Sequence, residues 1–376
     1  MNQPLVSVVI PTYNRAYCLA RAVDSVLGQT YGNVEAIVVD DGSTDGTAAL
    51  VDSRYGGEPR VHYVRQPNQG VAAARNTGFA AARGEFIALL DSDDVWYSWK
   101  LAVQVGVLQR FPDVGMVWTD MQAIDANGAV MEPKHLRTMY GAYRWFRHGG
   151  LFSQTHRLGD IVPAADGVDA SATVSCGDIF SQIALGNLVH TSTVLLRRAR
   201  LEKVAGFDVA LTPVGEDYDF HLRTCREGPV AFVDVSSIQY QREFGDQLTQ
   251  PGYALKFAQA HLAIISRTFR EDRHRIHLPP ELIAACFADA HGWIGHAAMD
   301  RGDAALARTH LACSLRHGPW QIRTGLMLLL ACLPSAAGNH LRAPYRRLKR
   351  MLLALQPPRT SERPRLIAGS AAHTAR

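Results

Sequence analysis

Residues 86–94 read Phe-Ile-Ala-Leu-Leu-Asp-Ser-Asp-Asp. Five apolar residues that stop at a run of carboxylates are too few for a core helix and fit a strand buried on both faces. Val34 to Val39 has the same form and ends as abruptly, at Asp40-Asp41-Gly42-Ser43. Working outward, residues 5–10 (LVSVVI) predict a first strand, Val61 to Val64 a third and Val114 to Trp118 a fifth. The segments between them are helical. Leu19, Ala22, Val23, Val26 and Leu27 recur at helix spacing behind Asn14 as a candidate cap. Ser43 or Thr44 is placed to cap the next helix. An alanine-rich helix opens at Gly70 and closes near Gly84, and another runs from about Val95 to Phe111 with Asp94 as its candidate cap.

Strands alternating with helices through residue 120 predict an α/β fold, a mostly parallel sheet with helices on both faces. Ligands of such sheets bind beyond the carboxyl ends of the strands. Asp40/Asp41 and Asp91/Asp93 both follow strand ends, so the two acidic clusters are expected to face one crevice. Residues 130–186, rich in Gly, Ser and Ala, give no clear pattern. Pattern returns with an apolar stretch at Thr193 to Leu196, a helix around 199–205, an acidic segment at 215–217 and a strand at Val230 to Val235. From about 251 the chain reads helical, with Pro279-Pro280 as a break and an Arg-, Ser- and Ala-rich tail beyond Pro357 expected to be disordered. This divides the chain into a nucleotide-binding half (1–120), an acceptor half (121–250), a helical region (251–357) and a tail.

A net charge of +4 over 376 residues is too weak to imply a nucleic-acid partner. Residues 301–376, however, hold thirteen Lys/Arg against two Asp/Glu, which leaves +11 there and −7 in the rest. Six scattered cysteines without CxxC spacing read as reduced thiols of a cytosolic protein. No secretory leader is expected, and the apolar run Leu326 to Leu333 is far short of a membrane span. The basic, leucine-containing stretch 341–353 suits either a solvated helix packing its leucines inward or peripheral contact with the anionic inner face of a membrane.

Several residues are equipped for chemistry. Asp91 and Asp93, one residue apart at a strand end, suit a hard divalent cation (Mn²⁺ or Mg²⁺) that also takes substrate phosphates. Asp41, with Asp40 beside it, is placed to accept a hydrogen bond from a uracil N–H, or to serve only as a turn residue. Tyr13, after the first strand, is an aromatic surface for a base, or a satellite core residue. Arg75, in an alanine-rich helix, suits an anionic partner or the helix surface. In Gly215-Glu216-Asp217 a carboxylate near a sugar could deprotonate a hydroxyl; the alternative is an acidic helix start favoured by the helix dipole.

The segments VSVVIPTYNR, VVDDGSTDGT, GVAAARNTGFAAARGEFIALLDSDDVW and VAGFDVAL…GEDYDFHLR resemble, in order and spacing, the inverting glycosyltransferase family 2 of GT-A fold over roughly residues 5–225. The resemblance implies transfer of a sugar from a nucleotide-sugar, with a UDP-sugar expected, to a hydroxyl on a glycan or lipid-linked glycan acceptor, as in cell-surface polysaccharide synthesis. It implies that Pro11 and Tyr13 frame the base, that Asp41 reads it, and that Arg75 lies near the donor. Asp93 and Asp91 would bind the divalent metal, Arg242 would lie near phosphate, and Asp217 would be the base with Glu216 as fallback. Family members often carry R-x-H after the last core strand; here Phe244 stands where the histidine is expected. Three other readings are a polyprenyl phosphate acceptor, a nucleotidyltransferase and a degenerate binding domain. The acidic 215–217 segment, Pro11–Asn14 in place of a glycine-rich phosphate loop, and the intact aspartate set weigh against these in turn.

Overall fold

The seven residues of β1 (Val6–Thr12) are all buried, as a central strand covered on both faces must be. The one polar side chain among its first five, Ser7, donates to the equally buried Glu35, which Arg83 neutralises. The computed structural model describes residues 3–146, 150–163, 166–211, 213–242 and 251–333. Through the first half the chain runs α1 (Leu19–Leu27), β2 (Val34–Asp40), α2 (Thr47–Tyr55), β3 (Val61–Arg65), α3 (Val71–Ala81), β4 (Phe86–Leu89), β5 (Val95–Trp96), α4 (Lys100–Arg110) and β6 (Met116–Ile124). Short pieces follow: β7 (Val130–Glu132), α5 (Leu136–Met139), β8 (Gln154–Arg157), β9 (Thr173–Gly177), α6 (Phe180–Ile183), β10 (Leu195–Arg197) and α7 (Arg198–Val204). Then come α8 (Glu216–Arg226), β11 (Val230–Gln241), α9 (Ala254–Glu271), α10 (Pro280–Arg301), α11 (Ala304–His317) and α12 (Ile322–Cys332).

One sheet holds all these strands, in the order β3-β2-β1-β4-β10-β6-β11-β9-β8, with β5 paired to β11 and β7 to β6. β1, β2, β3 and β4 are parallel neighbours, and β6 runs parallel to β11. β10 is antiparallel to both β4 and β6 and sits between them. The three-residue β10 therefore begins beside the carboxyl end of β4, with Leu195 opposite Ala88, and faces only the first two residues of β6. The stretch just before β10 is thus carried to the ligand edge of the sheet. Helices flank the sheet and share its large apolar core, while part of α10 with α11 and α12 forms a smaller one.

Several local expectations are corrected. Asn14 caps no helix: it has a left-handed backbone (φ 51°), and its side-chain oxygen accepts from the Thr44 N–H while its own N–H donates to Ser43 Oγ. These bonds stitch the loop after β1 to the loop after β2. Neither Ser43 nor Thr44 caps α2; Asp45 accepts from the Thr47 N–H instead. No helix begins at Val95. Residues 95–96 pair with β11 as β5, and α4 starts at Lys100, so Asp94 is not a cap. The fifth core strand extends to Ile124 and the strand begun at Val230 extends to Gln241. The Pro279-Pro280 break stands, with Pro280 opening α10 where its missing N–H costs nothing. Residues 341–353 and the tail lie outside the described residues.

Candidate functional site

Arg75 sits in α3, 4% exposed, and reaches two carboxylates. Its guanidinium donates to Asp91 Oδ1 at 2.8 Å and to Glu216 Oε1 at 3.1 Å, and it lies 4.9 Å above the Phe207 ring. One cation thus joins α3, the loop after β4 and the head of α8. The next residue secures the same junction: Asn76 donates to the Phe207 carbonyl and accepts the Phe207 N–H. Gly206 (φ 80°) is needed there, since a Cβ would lie 2.5 Å from Asn76 Oδ1. The rings of Phe79, Phe207 and Phe220 stack beneath the arginine.

Glu216 and Asp217 open α8, with Gly215 (φ 97°) turning the chain into it. Both the acidic helix start and the meeting of these carboxylates with Arg75 are therefore present. Burial and the adjacent Asp217 push Glu216 up to about 7, against the pull of Arg75. Burial also raises Asp217, against the Tyr218 N–H that donates to its Oδ1 and the charge of Arg75. Asn187 holds the other oxygen, Oδ2, at 3.3 Å.

Beyond β4, Asp91 is clamped from both sides. Its N–H donates to Ser192 Oγ, and its carboxyl, despite burial, is held below the usual range by Arg75 and His190. Asp93 accepts from Arg15 at 2.9 Å, and burial raises its pKa. Asp94 is buried; burial pushes it up to about 6 although His190 Nε2 lies 3.3 Å from its Oδ2. Its Oδ1 has no hydrogen-bond partner among the described residues. Asp91, Asp94 and His190 each offer an atom within 4.8 Å of the other two. The expected metal pair was Asp93 with Asp91. The grouping found among the described residues keeps Asp91, takes Asp94 rather than Asp93, and adds His190. Sequence reading missed His190 because it precedes β10, whose place in the sheet no local pattern reveals. Its position just before the apolar run 193–196 is the one available signal.

The residues expected to face the nucleotide divide. Asp41 accepts from Gln66 Nε2 and from the N–H groups of Gln69 and Gly70, so it ties the loop after β3 to the start of α3. Asp40 is fully buried and accepts from Tyr63 Oη and the Ser43 N–H. Pro11 is buried within β1, and Tyr13, 47% exposed, lies in the loop that follows. Arg242 is exposed just past β11. Its N–H donates to the Ile124 carbonyl, its charge acts on Glu132, and no described contact joins it to Arg75, Asp91 or Glu216. Phe244 lies outside the described residues.

Residues 7–169 match the family model "Glycosyl transferase family 2". An uncharacterized glycosyltransferase of Nostoc sp. is 42% identical over 128 residues, 34% of this chain and 39% of that protein. A chondroitin synthase of Pasteurella multocida is 38% identical over 130 residues, 34% of this chain and 13% of that one. The chain thus matches well under half the length of these relatives. A mannosyltransferase of Pyrobaculum calidifontis, solved with GDP-Man and Mn²⁺, superposes with a TM-score of 0.51 at 18% identity, covering 94% of this chain and 85% of that one. That likeness concerns the fold, and it agrees with the mixed sheet and flanking helices found here. Residues 7–169 thus match glycosyl transferase family 2, and the mixed sheet with its flanking helices is a GT-A fold.

Proposed function

We propose that this chain is an inverting glycosyltransferase that moves a sugar from a nucleoside diphosphate sugar, a UDP-sugar in the first instance, to a hydroxyl of a glycan or lipid-linked glycan. The observation that carries this reading is the Arg75 bridge between Asp91 and Glu216. It brings the carboxylate cluster of the donor side against the acidic head of α8, where a base is needed. The match to a chondroitin synthase supports a place in polysaccharide synthesis.

Asp217 is the proposed base. Its raised pKa makes it a stronger proton acceptor than an exposed aspartate, while Asn187 and the Tyr218 N–H orient it. The proton leaves the acceptor hydroxyl for Asp217 as the oxygen attacks the anomeric carbon from the face opposite the diphosphate. Arg75 keeps Asp91 ionised and balances Glu216, so the crevice can hold several carboxylates together. Asp91, Asp94 and His190 supply two carboxylates and an imidazole, a donor set that fits Mn²⁺, and the orphaned Asp94 Oδ1 is a buried acceptor such an ion would satisfy. Asp93 joins them if Arg15 releases it. When bound, a divalent cation neutralises charge on the departing diphosphate.

Asp217→Asn is expected to lower transfer by about 10²- to 10⁴-fold while nucleoside diphosphate still raises the melting temperature. Near-wild-type turnover in steady-state assays of that variant removes the assignment.

A further inference from the structure

Among the described residues, nothing covers one whole face of helix α12. Ile322, Leu326 and Leu329 are 82%, 56% and 67% exposed, Leu333 just beyond the helix is 37% exposed, and Trp320 just before it 95%. At about 100° per residue the first four share a narrow arc. Thr324, Met327 and Ala331 occupy the opposite arc and are buried against α10 and α11. Residues 322–333 carry only Arg323 and Thr324 as polar side chains. A helix apolar all round suits burial, yet this one packs a single face. Single exposed leucines are ordinary; an aligned row led by a tryptophan is not.

The formal charges carried by α11 and α12 are of one sign. Residues 304–333 contain Arg308, Arg316 and Arg323 and no Asp or Glu. The sequence continues with Arg342, Arg346, Arg347, Lys349 and Arg350 spaced among leucines. A second copy of this face, or the chain's own basic stretch, would set arginine against arginine. An anionic bilayer suits both features: apolar side chains enter the headgroup boundary while the cations stay at the phosphates, and tryptophan favours that boundary. No described helix is long and apolar enough to cross a membrane, so such a contact is peripheral.

We propose that the α11–α12 face docks the protein on an anionic phospholipid surface. Trp320, Ile322, Leu326 and Leu329 insert, and Arg316 and Arg323 meet the phosphates. This rests on the glycosyl-transfer reading only for its purpose, which is to reach a lipid-linked acceptor; its test reads docking rather than transfer.

The full chain is sedimented with phosphatidylcholine vesicles with and without phosphatidylglycerol. Binding is expected only with phosphatidylglycerol and to weaken with salt. The double variant Leu326→Glu/Leu329→Glu is expected to lose about tenfold or more in partitioning, and Arg316→Gln/Arg323→Gln several-fold. Circular dichroism and the thermal shift with nucleoside diphosphate should stay as in wild type, which separates lost docking from misfolding or a failed donor site. Wild-type protein that ignores both vesicles, or a double Glu variant that binds equally, overturns the proposal. So does a wild-type dimer, found by light scattering, that the Glu variant dissolves without any change in vesicle binding. Faster hydrogen exchange of 322–333 on removal of 341–376 from lipid-free protein assigns the face to the chain's own tail and likewise overturns it.

Discussion

Glu216 and Asp217 are chain neighbours that end in different surroundings. Glu216 is buried beside Arg75, whereas Asp217 lies between Asn187 and the backbone. Burial raises Glu216 from 4.5 to about 7. A carboxyl whose pKa is higher folded than unfolded contributes stability below pH 4.5 that is lost as pH rises through about 7. Wild-type stability should therefore fall across that window, by roughly 1–3 kcal/mol from this group. Glu216→Gln should flatten the profile there, and urea unfolding at several pH values measures the slope. An unchanged slope assigns the pH dependence to other groups. At this scale the sequence singled out individual residues more readily than their partners. Arg75 was legible as an arginine in an alanine-rich helix, but its two carboxylates are 16 and 141 residues away in the chain. Asp41 was legible at a strand end, but not its grip on Gln69 and Gly70.

Elements were legible where the periodicity was strong. α1, β1, β2 and α3 lie where the sequence puts them: α1 by the spacing of its apolar face, β1 and β2 as short apolar runs buried throughout, and α3 as an alanine-rich run between glycines. Caps were read wrongly at Asn14, Ser43 and Thr44 because those polar groups bond across loops rather than to the nearest helix, and at Asp94 because residues 95–96 form a strand. α3 also carries Gly78, an unfavourable residue in a helix interior. A Cβ there would lie 2.2 Å from Val9 Cγ1, so the glycine is what lets α3 rest on β1. Gly78→Ala should destabilise the protein by about 1–3 kcal/mol despite its better helix propensity. Chemical denaturation reads this directly, and a stabilised variant shows that α3 can lift from the sheet without loss.

Over the whole molecule the sheet gathers the loops after β1, β2 and β4, the start of β10 and the head of α8 at one edge. If Asp91, Asp94 and His190 hold a divalent ion that in turn meets a diphosphate, the two ligands should bind cooperatively. Mn²⁺ and a nucleoside diphosphate together should then raise the melting temperature by more than the sum of their separate shifts. The increment should vanish with chelator, and a panel of bases identifies the donor. Additive shifts show that metal and nucleotide do not meet.

By itself the sequence determined the alternation of strands and helices, the carboxylates placed at strand ends and the resemblance to glycosyltransferase family 2, because these depend on near-neighbour spacing and residue type. Only the tertiary structure decided that β10 enters between β4 and β6, which carries His190 and Ser192 to Asp91 and Asp94, and that Arg75 closes on Glu216. A three-residue antiparallel strand has no periodicity of its own. Its place is set by the edges left open by distant strands, and that information lies in packing rather than in any local run of residues.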